Sequence, residues 1–491
     1  MVSIKSARKR GVPLIVVESP DPAATIAALC KDLNGNLAET PVLCWDSVRA
    51  LRGLNEPGND AANAIGNPEI LTNPAEALAQ LAKVPANSLV FVMNANRFWN
   101  EPAPAQALWN LRDVYKGNGA TLVCLVLATL TMPAEIASDC VVMTEALPDA
   151  ASIADIIASV LKDADMDPAK IADKDKIADA LLGLPSFAAE QCLALSLGKD
   201  GIDRPGLWER KRKMIEQTPG LSVWRGGETF ADIGGYDNAK SFAGDICNGN
   251  GAPRAVVFID EIEKSMAGAG SDSSGTTQDQ LRCLLTYMQD KDVAGTIFIG
   301  PPGSGKSAVA KATGNEAGIP TIALDLGGMK ASLVGQSEAR LRQALNVIDA
   351  VSQGKALFIA TCNSIGILPP ELRRRFSLGT FFFPLPRPAD RLAIWKIYRK
   401  KLGIAASDKT PPDEGWTGAE IKNCCLIAWR LKRTLAEAAK FVVPVSVSAA
   451  DTIDRLCKDA HRRYINAAAP GLYEYDKLMT SPVTTGRKIE V

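Results

Sequence analysis

Lys306 and Ser307 close the octapeptide Gly300-Pro301-Pro302-Gly303-Ser304-Gly305-Lys306-Ser307, which reads G-x-x-x-x-G-K-S. It lies between the apolar run Ile297-Phe298-Ile299 and a stretch of helical composition that begins at Ala308. A strand, a glycine-rich turn and a helix in that order make a cradle for a triphosphate. The glycines let successive backbone N–H groups converge on phosphate oxygens, and the positive end of the helix dipole faces the same way. A lysine in such a loop bridges the β- and γ-phosphates, and the hydroxyl after it ligates Mg²⁺. At average glycine usage the pattern arises by chance in roughly one to two percent of chains this long, so the flanking elements strengthen the assignment.

Three further groups suit the same chemistry. Val256-Val257-Phe258-Ile259 runs into Asp260-Glu261. Apolar strands commonly end in an acid, but beside a phosphate loop the pair divides the work. Asp260 holds a Mg²⁺-bound water, and Glu261 polarises the water that attacks. Phe358-Ile359-Ala360-Thr361-Cys362-Asn363 is a strand ending in an amide that can orient the γ-phosphate and the water, or is a plain turn asparagine. Glu371-Leu372-Arg373-Arg374-Arg375-Phe376 is either a solvated charge run or, in an ATPase that assembles in rings, a source of cations for a neighbour's γ-phosphate.

The elements that must position these residues follow from the apolar pattern. At 491 residues the chain is too long for one core, so two or three domains are expected. Apolar runs at 14–17, 41–45, 89–93, 121–127 and 141–144, alternating with helical stretches, predict an N-terminal parallel α/β domain over 1–150. A mostly helical connector is expected over 151–227. A second α/β block, 228–387, has strands at 255–259, 296–299, 321–324, 356–360 and 380–383. A helical lid is expected over 388–467, then a loosely ordered tail, 468–491. The Gly/Ser-rich segment 267–277 reads as a surface loop.

Composition bounds the rest. Lys plus Arg equals Asp plus Glu at 55 each, and no basic, aromatic-interleaved stripe is present, which argues against a nucleic-acid motor or loader. Eleven scattered cysteines, without a C-x-x-C pair, suit reduced thiols in a cytoplasm rather than disulfides or zinc. The single histidine, His461, leaves no room for histidine-based catalysis and reads as a surface residue. No apolar run approaches the roughly 20 residues of a membrane span, and the N-terminus lacks the core of a signal peptide, so a soluble protein without a membrane partner is expected.

With these motifs on the page, the chain from about 228 to 430 resembles AAA-type P-loop ATPases. Asp232-Ile233-Gly234-Gly235 resembles that family's adenine-side motif. Gly335 to Arg342 is similar to its G-E-S-E-x-x-x-R block, and Trp416-Thr417-Gly418-Ala419-Glu420-Ile421 to the start of its lid helix. The resemblance implies ATP and Mg²⁺ as cofactors, with Asp232, Ile233 and Gly234 at the base and Gly300 through Ala308 around the phosphates. It implies Ser307 and Asp260 at the metal, Asn363 as a γ-phosphate sensor, and Arg373 and Arg375 as candidates to act on a neighbouring subunit. A hexamer-type homo-oligomeric ring and a protein partner are further implications. Ala419 stands where other AAA+ clades carry a sensing arginine, so none is expected. The pore-loop position holds Leu333-Val334 rather than an aromatic, which weakens a polypeptide-threading role.

The first half resembles the degenerate ATPase-like N-terminal domain of AAA proteins from cyanobacteria and plastids. Its phosphate-loop position reads Glu18-Ser19-Pro20-Asp21-Pro22 and its acidic-strand position Phe91-Val92-Met93-Asn94-Ala95, so a structural or partner-binding role is expected.

One departure from the family is large. Asp260-Glu261 precedes the phosphate loop by about forty residues, whereas the family has the loop first. Val-Val-Phe-Ile, Thr-Ile-Phe-Ile and Ala-Leu-Phe-Ile end three strands alike, as though the blocks 259–298 and 299–358 had exchanged places. With the family's spatial strand order, 5-1-4-3-2, the chain would visit 3, 1, 2, 4, 5, and every crossover could keep its right-handed sense. The expected fold is therefore α/β with a permuted strand order around an unpermuted site. Three uses of ATP are weighed: a ring-forming protein remodeller, a slowly hydrolysing ATP-gated scaffold, and a nucleic-acid motor.

Overall fold

A computed structural model describes residues 4–32, 38–127, 132–145, 147–166, 174–198, 201–266, 276–329, 336–364, 366 and 368–475. Most of the Gly/Ser-rich segment, the Leu333-Val334 position and the tail beyond 475 lie outside these residues. The chain divides into two compact units, Met1–Leu207 and Trp208–Val491.

In the first unit, β1 (Leu14–Glu18), β2 (Val42–Asp46), β3 (Ala50–Gly53), β4 (Leu89–Met93), β5 (Thr121–Val126) and β6 (Val141–Thr144) form one sheet in the order β3-β2-β4-β5-β1-β6. All neighbours are parallel except the β2–β3 edge pair. β1, β2, β4 and β5 are buried along nearly their whole length because helices cover both faces, which is why they read as unbroken apolar runs. Short, mixed β3 carries no such signal. Helices Ala150–Asp163, Lys174–Leu181 and Ser186–Ala194 fall within this unit, together with a small ribbon of β7 (Leu197–Gly198) and β8 (Gly201–Ile202). Much of the stretch expected as a connector therefore groups with the first sheet.

Beyond β1, where a phosphate loop would start, side chains fill the space. Asp21 Oδ1 accepts the Ala24 N–H at 3.1 Å at the start of helix Pro22–Asp32. Its Oδ2 accepts the Phe187 N–H at 3.0 Å at the start of helix Ser186–Ala194. The Thr25 hydroxyl donates to Glu145. Two helix starts thus share one internal carboxylate, the charge they favour.

In the second unit, β9 (Leu221–Val223), β10 (Ala255–Ile259), β11 (Ala294–Ile299), β12 (Thr321–Leu324), β13 (Ala356–Cys362), β14 (Thr380–Phe382) and β15 (Ile465–Asn466) form one sheet. Its order is β15-β14-β11-β13-β10-β12-β9, parallel throughout except at β9. The five expected strands therefore stand as β14-β11-β13-β10-β12, the spatial order set out from the sequence. Alternation splits their side chains between two cores. Val256, Phe258, Phe298 and Ile359 pack with Val309 and Ala310 of helix Lys306–Ala317. Val257, Ile259, Ile297 and Phe358 pack with Leu284, Leu341 and Leu345 from helices Thr276–Asp290 and Gln336–Ser352.

The first sheet supplies an internal standard. Leaving aside the two-residue edge strand β15, β6-β1-β5-β4-β2-β3 and β14-β11-β13-β10-β12-β9 share the same pattern, five parallel strands and then one antiparallel. Only the order in which the chain visits them differs.

The C-terminal region departs from expectation. Helices Pro388–Leu402 and Gly418–Leu431 form a separate small core around Trp395, Trp416, Ile421, Cys424 and Cys425. Helix Ala450–Ala460 instead lays Ile453, Cys457 and Ala460 on the sheet core. The stretch 388–467, expected as a helical lid, includes β15, which pairs with β14, and Tyr473 in the expected loose tail packs on Phe382 with ring centroids 4.3 Å apart and the planes tilted. The apolar residues there are too few to show a strand period, and the edge of β14 decides the conformation.

Asp21→Ser retains a short helix cap on Ala24 but is too short to hold Phe187 as well. Hydrogen exchange of the intact protein is expected to show faster exchange at the Phe187 amide with helix Pro22–Asp32 still protected. Asp21→Ala should weaken both, costing about 1 kcal/mol for the lost cap. An unchanged Phe187 amide in both variants would mean the shared carboxylate does not hold the second helix.

Candidate functional site

β11 and β13 end level with each other, and β10 ends two residues earlier along β13. Ile259 stands beside Ala360, and Ile299 beside Cys362. Asp260, Thr361, Asn363 and the Gly300–Ser307 loop consequently emerge at one edge of the sheet, with β13 lying between the two strands that carry the acids and the loop. β13 runs two residues further than its apolar pattern suggests, and those residues matter.

The Ser307 hydroxyl donates to Asp260 Oδ1 at 2.8 Å, and Thr361 Oγ1 donates to the same oxygen at 2.6 Å. Thr361 Oγ1 also accepts the Glu261 N–H at 2.9 Å. Glu261 adopts a left-handed φ of 45°, a conformation costly for a non-glycine residue, and this bond helps hold it. Its Oε1 accepts Asn363 Nδ2 at 3.0 Å, while Lys264 pairs with its other oxygen. Asn363 Oδ1 in turn accepts Lys306 Nζ at 3.0 Å. Lys306 donates further to the carbonyls of Gly300 and Pro301, both at 2.8 Å. One connected network thus joins Lys306, Asn363 and Glu261, and a second joins Ser307, Asp260 and Thr361.

Burial lowers the Lys306 pKa from 10.5 to about 8, against the opposing charges of Glu263, Asp260 and Glu261. The ammonium remains protonated at pH 7. The same burial pushes the Cys362 thiol up.

A cavity of about 560 Å³ opens beside this edge, between the sheet and the small helical core. Gly303 through Ala308 line it, as do Asp232, Ile233, Gly234, Ile394, Tyr398 and Ala419. Gly303, at φ 77°, meets the lid helix so closely that an added Cβ would lie 2.9 Å from Thr417 Oγ1 and 3.0 Å from the Ala419 Cβ. The Ala419 N–H donates to the Gly303 carbonyl at 3.3 Å. Gly305, at φ 92°, forms the start of helix Lys306–Ala317.

Not every expected residue presents a side chain to the cavity. The Asp232 carboxylate accepts the Thr229 N–H and pairs with Lys401 at 3.0 Å; these interactions, the Thr229 bond foremost, lower its pKa. Its turn leaves Ile233 and Gly234 to line the cavity with it. Gly300 and Pro301 are occupied with Lys306, and Pro302 is exposed. Arg375 donates to Gln289 at 2.6 Å, and Arg373 is exposed. Neither arginine bonds to Lys306, Ser307, Asp260, Glu261 or Asn363 among the described residues. His461 is exposed, its Nδ1 accepting the Tyr475 N–H.

The donor set suits Mg²⁺, which takes oxygen ligands in octahedral geometry and keeps several waters. Ser307 and Asp260 offer a hydroxyl and a carboxylate oxygen at one point, and Asp260 is exposed. The buried Ser304 hydroxyl, in the cavity wall, lacks a hydrogen-bond partner among the described residues, as expected of a loop shaped for an acceptor-rich ligand.

Two residues of the network lay outside the sequence reading. Thr361 sits in an apolar strand, and only its polarity one residue before the strand's end marks it. Glu263 is 6% exposed, and its Oε1 accepts the Asn363 N–H at 2.9 Å; in sequence it looks like one more acid after Asp260-Glu261.

Comparison with known proteins agrees with this architecture. Residues 4–144 match the family model for the SpoVK-like AAA ATPase, N-terminal domain, and residues 296–352 match that for the ATPase family associated with various cellular activities (AAA). The chain thus carries an AAA ATPase domain and a SpoVK-like AAA N-terminal domain. Among individual proteins it is similar to the uncharacterized AAA domain-containing protein ycf46 of Trieres chinensis, 22% identical over 86% of each chain. The ycf46 protein of Guillardia theta is also 22% identical, over 74% of this chain and 72% of its own. A more partial likeness is to the ATP-dependent zinc metalloprotease FtsH of Rhodothermus marinus, 23% identical over 43% of this chain and 34% of that protein. No helix among the described residues is long and apolar enough to cross a membrane.

The lysine supplies a pH test. Its depressed pKa destabilises the empty folded state fully below pH 8, and that cost fades between pH 8 and 10.5, where the unfolded chain binds a proton that the native one does not. Relative to Lys306→Met, the nucleotide-free wild type is expected to gain stability across that window, by up to about 3 kcal/mol at about 1.4 kcal/mol per pH unit. Denaturant unfolding of both proteins measures the difference; a gap that stays constant from pH 7 to 10.5 would contradict the burial argument.

Proposed function

We propose that the protein binds Mg·ATP and hydrolyses it to ADP and phosphate. The observation that carries this reading is the hydrogen bond from Ser307 to Asp260, which draws together a phosphate loop and an acid pair that come from separate blocks of the chain. Lys306 would leave its carbonyl partners for the β- and γ-phosphates, and Asn363 would orient the γ-phosphate and water. Ser307 and Asp260 would hold the metal, Asp260 through a bound water. Mg²⁺ held there would supply positive charge against the charge that develops on the phosphate oxygens. Glu261 would polarise the attacking water, with Asn363 fixing its carboxylate.

On the same reading the chain order is a permuted form of the AAA domain. The AAA family match begins at Thr296, inside β11, and ends at Ser352, the last residue of the helix before β13, close to the joints proposed from the sequence. Asp260-Glu261 lies upstream of that match. Assembly into a ring is part of the proposal, because Arg373 and Arg375 are not bonded to the site in their own chain and would act on a neighbour's γ-phosphate. We assign the energy of turnover to remodelling a protein partner through an N-terminal domain whose phosphate position is filled by its own side chains.

Steady-state ATPase assays and nucleotide-binding titrations test this. Glu261→Gln should bind ATP with near wild-type affinity while turnover falls about 10²- to 10³-fold. Lys306→Ala should lose binding. Arg373→Ala or Arg375→Ala should lower turnover without lowering affinity, and mixing either with Glu261→Gln chains should restore some activity if the arginine acts across a subunit boundary. Wild-type turnover in Glu261→Gln would remove that residue from its role.

A further inference from the structure

Glu263 belongs to no part of the chemistry assigned above, yet it is the most deeply buried carboxylate at the site. Its Oε1 accepts the backbone N–H of Asn363, and its Oε2 has no hydrogen-bond partner among the described residues. A carboxylate taken out of water with one oxygen unpaired is costly, and a structure keeps such a group where its geometry serves something else. The geometry here has a direct reading. Asn363 is the only described residue bonded to both Lys306 and Glu261, through the two ends of one planar amide. Rotation of that plane would break both bonds together. The backbone of Asn363, just past the end of β13, has left the ladder that holds Thr361 and Cys362, and Glu263 takes the N–H that the ladder no longer uses.

We propose that Glu263 is a positioning residue: by anchoring the Asn363 backbone it aims the Asn363 amide so that the phosphate-loop lysine and the water-polarising Glu261 stay in register. The short helix Ile262–Met266 makes this possible. It turns the chain just after Asp260-Glu261, so that Glu261 points to the open edge and Glu263, two residues on, points back beneath the end of β13. The acid pair and its support thus come from one four-residue stretch, Asp260 to Glu263. Glu263 acts through its hydrogen-bond acceptor and not through its charge, and this separates it from a group that merely neutralises Lys306. The inference rests on the ATPase reading above.

Two variants isolate the anchor. Glu263→Gln retains an oxygen acceptor at the same reach and loses the charge. Glu263→Met fills the buried volume without an acceptor, and its thermal midpoint reports whether the fold tolerates it. ATPase kinetics, binding of a fluorescent ADP analogue and the thermal midpoint are measured for both in the full-length protein, alone and with Asn363→Ala. The expected result is that Glu263→Gln stays within about 3-fold of wild type, whereas Glu263→Met loses about 10²-fold in kcat with KM and ADP affinity within about 3-fold. Added to Asn363→Ala, Glu263→Met should cost little more, since its effect runs through that residue. Wild-type kcat in Glu263→Met, an equal loss in Glu263→Gln, or full additivity with Asn363→Ala would each overturn the proposal. If the wild type itself neither binds nor turns over Mg·ATP, the parent reading fails instead, and the two failures are thereby told apart.

Discussion

One oxygen atom organises the candidate site. Asp260 Oδ1 receives hydrogen bonds from Ser307, at the start of the phosphate-loop helix, and from Thr361, on the strand between. Because strands in a sheet lie about 4.8 Å apart, the strand bearing Asp260 and the strand bearing the loop are about 10 Å apart across β13. Side chains can close that gap only if the strands end near one another and the middle strand contributes a small polar group at its tip. β11 and β13 end together, β10 stops two residues earlier so that Asp260 follows at the level of Thr361, and Thr361 is the polar group. The left-handed backbone at Glu261 and the buried carboxylate of Glu263 make sense as local costs of keeping these ends aligned.

What the sheet constrains is adjacency in space, not sequence in time. The two sheets of this chain make the point within one molecule. Both contain a run of five parallel strands with an antiparallel strand at one end, the second adding β15 beyond β14, but the run in the first is threaded β1, β2, β4, β5, β6, whereas that in the second is entered at the acid strand β10 and reaches the loop strand β11 next. Parallel neighbours need crossovers of a dozen or more residues in any case, so a changed visiting order adds only a strand spacing to a connection that is already long. The exchange of blocks proposed above would leave hydrophobic alternation on each strand, and the two cores, untouched.

Much of this was legible from the residues. Strands buried on both faces advertise themselves as unbroken apolar runs, which is how β10, β11, β12 and β13 could be set out beforehand, while their spatial order came from the resemblance to AAA-type ATPases. The phosphate loop and Asp260-Glu261 stand at the ends of such runs. Elements that owe their conformation to a neighbour were not legible: β3 and β9 exist because an edge strand offers them a ladder, and β15 because β14 does. Helix Ala450–Ala460 has an apolar stripe in sequence, but nothing local says whether the lid or the sheet will cover it. Thr361 and Glu263 were hidden for a related reason. Their importance lies in whom they touch, roughly a hundred residues away in the chain, and a single threonine or glutamate carries no mark of that.

The convergence of an early acid pair and a later phosphate loop on one metal-bound triphosphate is most directly tested by a crystal structure of the protein with Mn²⁺ and a non-hydrolysable ATP analogue, the metal located by its anomalous signal. The account predicts one metal peak at about 2.1–2.2 Å from Ser307 Oγ and from oxygens of the β- and γ-phosphates, with Asp260 linked to it through a bound water. A metal or triphosphate bound elsewhere, or bound at the loop with Asp260 and Glu261 turned away from it, would contradict the account.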